Sequence, residues 1–148
     1  SPVDTYGEDL VNDLFVNYSK NLSAQLSFTG LKDSLNTIQE LIFSHELSKL
    51  ILYIDKDKSN IIDDKMNIWI KTPEIDKYYF YELDADDDKV DIPIGNLMQQ
   101  YKYGKDIDFT VFQLETDFNT NNYSLVKFLY SSLNDSSKNP RLDLIYTE

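Results

Sequence analysis

The chain has 148 residues, with 26 Asp and Glu against 14 Lys and Arg, so its formal net charge is −12 at pH 7. Nucleic-acid affinity depends on Lys and Arg that neutralise phosphates, so this charge argues against nucleic acid as a partner. It favours solubility and electrostatic capture of a basic protein. Aromatic residues make up 14%, which argues against disorder. One domain spanning 1–148 is expected, with a core that needs no metal or disulfide.

Two helices are expected in the N-terminal part of the chain. In residues 9–26, apolar side chains recur at spacings of three and four, a pattern that predicts an amphipathic helix. Ser34 is a typical N-cap residue, and it predicts the start of a second helix that ends near His45.

Beyond Leu47 the apolar residues alternate with a period of two, which indicates strands. The predicted strands are 49–55, 66–71, 78–84, 88–94, 106–115 and 141–147. A short helix is expected at 96–102 and a longer one at 121–133. The predicted fold is therefore α+β: two N-terminal helices, a mainly antiparallel meander sheet and a further helix near the C-terminus, with the helices on one face.

One stretch resembles a calcium loop in part. The first three ligand positions of an EF-hand would be filled by Asp55, Asp57 and Ser59. The glycine of the loop is replaced by Asn60, and Met66 stands where the bidentate Glu belongs. A hairpin turn between Ile54 and Ile61 explains the same residues without a metal, and it is the preferred interpretation.

A second acidic cluster follows the strand at 78–84. Its members are Asp84, Asp86, Asp87, Asp88 and Asp91, and the first four are candidates for a partner-binding site. Carboxylate oxygens suit calcium, but such clusters are more often solvated turns, or charges that keep an edge strand from pairing. We expect no metal site here and assign these side chains to the rim of a partner-binding surface.

Catalysis has little support in the sequence. His45 is the only His, and no nucleophile motif accompanies it. The four Gly form no phosphate-binding loop. The expectation is a protein that is not an enzyme, with no catalytic residues and no cofactor. No apolar run approaches the roughly 18 residues of a membrane helix, so no membrane-spanning segment is expected.

The strands keep aromatic residues on the face opposite their main apolar face. The residues assigned to this face, as a partner-binding surface, are Trp69, Tyr79, Tyr81 and Phe112. Two interpretations stay open: a second small core covered by the chain itself, or an open platform rimmed by the aspartates. Tyr and Trp are over-represented at interface hot spots, which favours neither on its own.

The leading functional prediction is a non-catalytic, acidic protein that binds and blocks a basic protein partner through its aromatic sheet face. Its size, charge and expected architecture are similar to those of immunity proteins that neutralise bacterial effectors, a likeness of general features alone. One alternative is a folded subunit domain of a larger structural assembly. Another is a calcium-responsive module that uses the aspartate-rich turns.

Overall fold

The strands dominate the computed structural model, which describes residues 2–6, 14–28, 42–72, 75–100, 107–114, 123–130 and 136–147. Eleven strands lie in these ranges: β1 Pro2–Tyr6, β2 Leu14–Val16, β3 Ala24–Phe28, β4 Ile42–Phe43, β5 Lys49–Tyr53, β6 Lys65–Thr72, β7 Ile75–Asp84, β8 Lys89–Pro93, β9 Ile107–Phe112, β10 Val126–Phe128 and β11 Arg141–Thr147. One short α-helix, α1, spans Gly95–Gln100. Two single 3₁₀ turns span Ile62–Asp64 and Ser136–Lys138.

The strands form two larger sheets and one small one, and every pairing is antiparallel. The five-stranded sheet has the order β1-β11-β5-β8, with β4 added against β11. The four-stranded sheet has the order β3-β9-β6-β7, and β10 pairs with β2 in the small sheet. Chain neighbours such as β5 and β6, or β7 and β8, therefore lie in different sheets.

A single apolar core receives side chains from all three sheets. β6 shows how the sequence builds it, since successive side chains of a strand point to opposite faces. Met66, Ile68 and Ile70 are fully buried, and the residues between them face outward. Each fully buried side chain of this size contributes about 1.5–3 kcal/mol relative to an exposed one. The two larger sheets meet through these apolar faces.

The expected α+β class is wrong, because the described chain is mostly antiparallel sheet and its one helix is short. Within 9–26, the described part is β2 and β3 joined by a tight turn, in which Asn21 has φ 54°. The apolar spacings there fit period two within each strand, and the polar residues between them form the turn. Residues 9–13 lie outside the described residues.

The predictions of two further long helices, from Ser34 to His45 and over 121–133, are also wrong where the structure describes these residues. Of the helix expected from Ser34 to His45, residues 34–41 lie outside the described residues, and β4 and an exposed turn occupy the rest. The described part of 121–133 contains β10. Of the predicted helices, the short one at 96–102 is confirmed over its described residues, as α1 Gly95–Gln100, and residues 101–102 lie outside them. The likeness to immunity proteins in architecture required helices behind a sheet, and the mostly β structure removes that part of it, so that only size and charge remain.

The hairpin expected between Ile54 and Ile61 is also wrong. Ile54 forms an antiparallel bridge with Phe128, and Asn60 forms one with Leu125. Both ends of the loop therefore pair with the same neighbouring segment rather than with each other. The loop lets the chain leave the five-stranded sheet, follow β10 and enter β6.

Candidate functional site

Aromatic rings lie in a continuous row on the outer face of the four-stranded sheet. Trp69 on β6 is directly opposite Phe80 on β7 and Phe112 on β9. Directly opposed residues have Cβ atoms about 4.5–5.5 Å apart, close enough for their rings to pack. The Trp69 and Phe80 ring centroids are 5.1 Å apart. Tyr78 reaches across β6 and meets Phe112 edge-on, with centroids 5.4 Å apart. We call these four residues the aromatic strip.

The aromatic strip is open to solvent on its β7 side. Phe80 is 50% exposed and Tyr78 is 51% exposed, while Trp69 and Phe112 are partly buried. The Lys71 ammonium lies 5.0 Å from the centre of the Phe112 ring. Such a cation–π contact contributes about 0.5–1 kcal/mol at an exposed site. The strip is thus ordered by ring contacts within the sheet, with two rings that present large apolar area outward.

Tyr79 and Tyr81 lie on the other face of β7. Tyr79 is opposite Ile70 and Tyr81 is opposite Ile68, and both pack against the core. Burial raises the pKa of both phenols. For Tyr81, the carboxylates of Asp87, Asp91 and Asp84 raise the pKa further, and a hydrogen bond from the Asp91 backbone opposes them.

The register therefore corrects the face assigned to these two tyrosines. Both faces of β7 are aromatic, so aromatic character alone does not separate them. A signal was nevertheless present at the end of the strand: Leu83 shares a face with the two inward tyrosines, whereas Glu82 shares a face with Tyr78 and Phe80. Leu83 is fully buried and Glu82 is exposed. The sequence analysis did not assign Tyr78 and Phe80 to the outer face, because both faces of β7 carry aromatic residues.

Residues 85–88 connect β7 to β8, and we call this connection, with its three aspartates Asp86, Asp87 and Asp88, the acidic turn. Asp84 is the last residue of β7. The Asp87 N–H donates to the Asp84 carbonyl at 3.0 Å, and the Asp84 N–H donates to Oδ2 of Asp87 at 2.9 Å. Asp86 and Asp88 are exposed. Asp84 lies opposite Lys65 in the strand register, and Lys65 is four residues from Trp69 along β6. At the rise of a strand, this separation is about 13 Å. The acidic turn thus lies at one end of the sheet that carries the strip.

The two aspartate-rich loops lie side by side, and a lysine joins them. Lys56 Nζ donates to the Ala85 carbonyl at 2.7 Å. In the first loop, Asp55 forms an ion pair at 3.7 Å with Lys127, which lies on β10. The Ser59 hydroxyl of the same loop donates to the Asp55 carbonyl at 2.7 Å. Within the described part of the chain, no group of three or more His, Cys, Asp or Glu side chains is placed to hold a metal. Two of the three EF-hand positions named above already have partners, because the Asp55 carboxylate is paired with Lys127 and the Ser59 hydroxyl accepts the Lys127 N–H at 2.9 Å.

A polar depression of about 220 Å³ adjoins the strip. Phe112 and Lys71 form one wall, and the turn between β2 and β3 forms the other. Its amide groups already have structural partners. The Gln113 side-chain oxygen accepts the Tyr18 N–H at 2.8 Å, and Asn17 Nδ2 donates to the Ser124 carbonyl at 2.7 Å. These bonds fix the wall of the depression beside the strip.

The single histidine lies in the exposed turn between β4 and β5, away from the strip. Comparison with known protein families, with curated proteins and with solved structures finds no match to this chain. Among the residues that the structure describes, no helix has the length and apolar character needed to cross a membrane.

Proposed function

We propose that this chain is a non-catalytic binding protein that holds a basic protein partner on the outer face of its four-stranded sheet. The observation that carries the proposal is the aromatic strip, in which two large rings are half exposed beside two that are partly buried. Interfaces are enriched in Tyr, Trp and Phe, and a few such residues supply most of the binding free energy. An apolar cluster on an otherwise polar surface is a common mark of an interaction site.

The charge distribution supports a basic partner. The chain carries a net charge of −12, and the acidic turn, with exposed Asp86 and Asp88, ends the strand that holds Tyr78 and Phe80. An acidic field around an apolar contact accelerates association with a positively charged partner and disfavours acidic ones. In this arrangement the strip supplies affinity, and the acidic turn supplies steering and specificity.

The test uses the wild-type chain to capture its partner from the native source and then measures the purified pair by calorimetry. Tyr78→Ala combined with Phe80→Ala removes the two exposed rings and should weaken binding by at least about 100-fold, the effect of two hot-spot residues. Leu47→Ala truncates an apolar residue that is 58% exposed in the β4–β5 turn, outside the four-stranded sheet. This control should bind as the wild type does. A double variant with unchanged affinity would refute the proposal.

A subunit of a larger permanent assembly would use the same strip, and its behaviour in isolation separates the two functions. An uncovered obligate interface drives self-association, because monomers rarely tolerate large apolar patches. The binding protein proposed here should instead stay monomeric, and its affinity for the partner should fall as salt rises from about 50 to about 500 mM. Light scattering measures the mass of the isolated chain in solution, and a salt series measures its affinity for the partner. Together they distinguish the permanent subunit from the binding protein.

A further inference from the structure

The last strand of the four-stranded sheet is its longest, and its charged residues lie toward its two ends, at positions 76, 77, 82 and 84. β7 has ten residues and, among the described strands, pairs only with β6. Natural edge strands are usually kept short or carry Lys, Pro or bulges, because their unpaired N–H and C=O groups recruit other chains. From Tyr78 to Asp84, β7 has no Lys, Pro or Gly. This edge is suited to accept a further strand.

β8, the corresponding edge of the five-stranded sheet, is half as long and contains a proline, which β7 does not. It has five residues, contains Pro93 and runs through Ile94 into α1. Pro93 is exposed, and a proline cannot donate to a ladder. Two edge strands joined by one acidic turn are therefore built differently, and the difference favours β7 as a docking edge.

We propose that the partner presents an extended basic segment that pairs with the edge of β7 as a fifth strand. This inference rests on the proposed function and specifies how the partner meets the strip. Alternate side chains of the added strand would lie on the outer face, beside Tyr78, Phe80 and Glu82. A flat apolar side chain opposite Phe80 extends the aromatic strip, and a Lys or Arg opposite Glu82 faces a carboxylate.

Charge selects a basic segment rather than a second copy of this chain. Glu82 is exposed, and its ion pair with Lys65 has an N–O distance of 3.1 Å between two exposed side chains, so a competing cation reaches it readily. Exposed Asp84 and the acidic turn continue the negative charge beyond it. Two copies of a chain with net charge −12 repel each other at the same edge. A lysine-rich strand is attracted there.

The test uses the wild-type chain and a synthetic probe, the capped peptide Thr-Lys-Thr-Phe-Thr-Lys-Thr-Lys, with binding measured by NMR titration. Two further versions carry N-methyl groups on all odd or all even residues, which removes the donors along one edge or the other. One methylation pattern should weaken binding by at least about tenfold and the other by less than about threefold, because only one peptide edge pairs with β7. A version with Glu in place of Lys should not bind.

Amide hydrogen exchange locates the contact. Alternate amides of β7 should slow when the unmodified peptide binds, whereas the amides of β8 should exchange as before and serve as the matched edge control. Equal affinities for both methylated peptides would overturn edge pairing, and so would the absence of any peptide binding. The Tyr78→Ala and Phe80→Ala double variant tests the aromatic strip separately. If it binds the peptide as tightly as the wild type does and shows the same slowed amides, the strip has no part in the proposed function. The two failures are therefore distinguishable.

Discussion

The two larger sheets bury their inner faces in one core, but their outer faces differ. On the five-stranded sheet, Ile51 lies between Arg141 and Asp91 across the strands and is only 4% exposed. Arg141 Nε lies 2.8 Å from Asp143 Oδ1, and Lys49 is directly opposite Asp143. Charges of opposite sign alternate here and cover the apolar residue between them.

On the outer face of the four-stranded sheet, large aromatic rings are exposed instead. Tyr78 and Phe80 are half exposed, whereas the nearest carboxylate–lysine pair, Glu82 with Lys65, lies farther along the strands and is itself exposed. The outer face of the five-stranded sheet is therefore covered here by charged side chains, whereas that of the four-stranded sheet exposes aromatic rings. This difference is what the proposed binding function requires.

The comparison is sharpest within the four-stranded sheet itself, where inner and outer residues should respond very differently to truncation. Ile68→Ala opens a cavity beneath β6 and should lower the free energy of unfolding by about 2–5 kcal/mol. Phe80→Ala removes a ring that is 50% exposed and should cost about 1–2 kcal/mol, from its contact with Trp69 and from the half of its area that is buried. Urea denaturation measures both. Similar losses for the two variants would place the strip in the core and remove it as a contact surface.

A smaller effect is expected on the five-stranded face. Asp143→Ala removes the partner of the Arg141 guanidinium, whose Nη2 also donates to Oδ2 at 3.2 Å. These side chains are about one quarter exposed, so the loss should be about 1 kcal/mol after solvent screening. The Arg141→Leu and Asp143→Ala double variant should recover part of it, because no unpaired charge remains. Strictly additive losses in a double-mutant cycle would show that the pair does not couple.

The smallest expected effect is on how stability depends on pH, and it distinguishes inward from outward tyrosines. Burial raises the pKa of Tyr79 and Tyr81 above the ordinary value of 10.0, so the unfolded chain loses these protons first. Their contribution to stability is complete below about pH 10 and falls as the pH rises through the raised pKa. Tyr81→Phe should flatten the loss of stability that sets in above about pH 10, measured by urea denaturation over a series of alkaline pH values.

A matched control removes a phenol from the surface instead. Tyr123 is 69% exposed, and Tyr123→Phe should leave the alkaline slope as it is in the wild type. An unchanged slope in Tyr81→Phe would contradict the inward placement of its phenol.

The sequence predicts those parts of the fold that local pattern determines. Period-two alternation locates β5 to β9 and β11, and it separates the buried Ile68 and Ile70 from the outward Trp69. It also places Phe112 on the outer face with Trp69. The pattern fails where two periods fit the same residues, as in 9–26, because short strands around a turn imitate helical spacing.

Long-range pairing accounts for most of what could not be predicted. β1 pairs with β11, so that Pro2 lies opposite Ile145, and no local pattern specifies such a partner. The division of consecutive strands between two sheets has the same origin. For the candidate site, both faces of β7 carry aromatic rings, and within the strand only Leu83 and Glu82 separate the inward tyrosines from the outward ones.

The alternation of β6 and β7 has a consequence for how this surface can diversify. The inner residues of both strands belong to the core, while Trp69, Tyr78 and Phe80 point away from it. Substitutions at the outer positions leave inner packing in place. Under the proposed function, substitutions at these outer positions would change which partner is bound and leave the scaffold beneath them as it is.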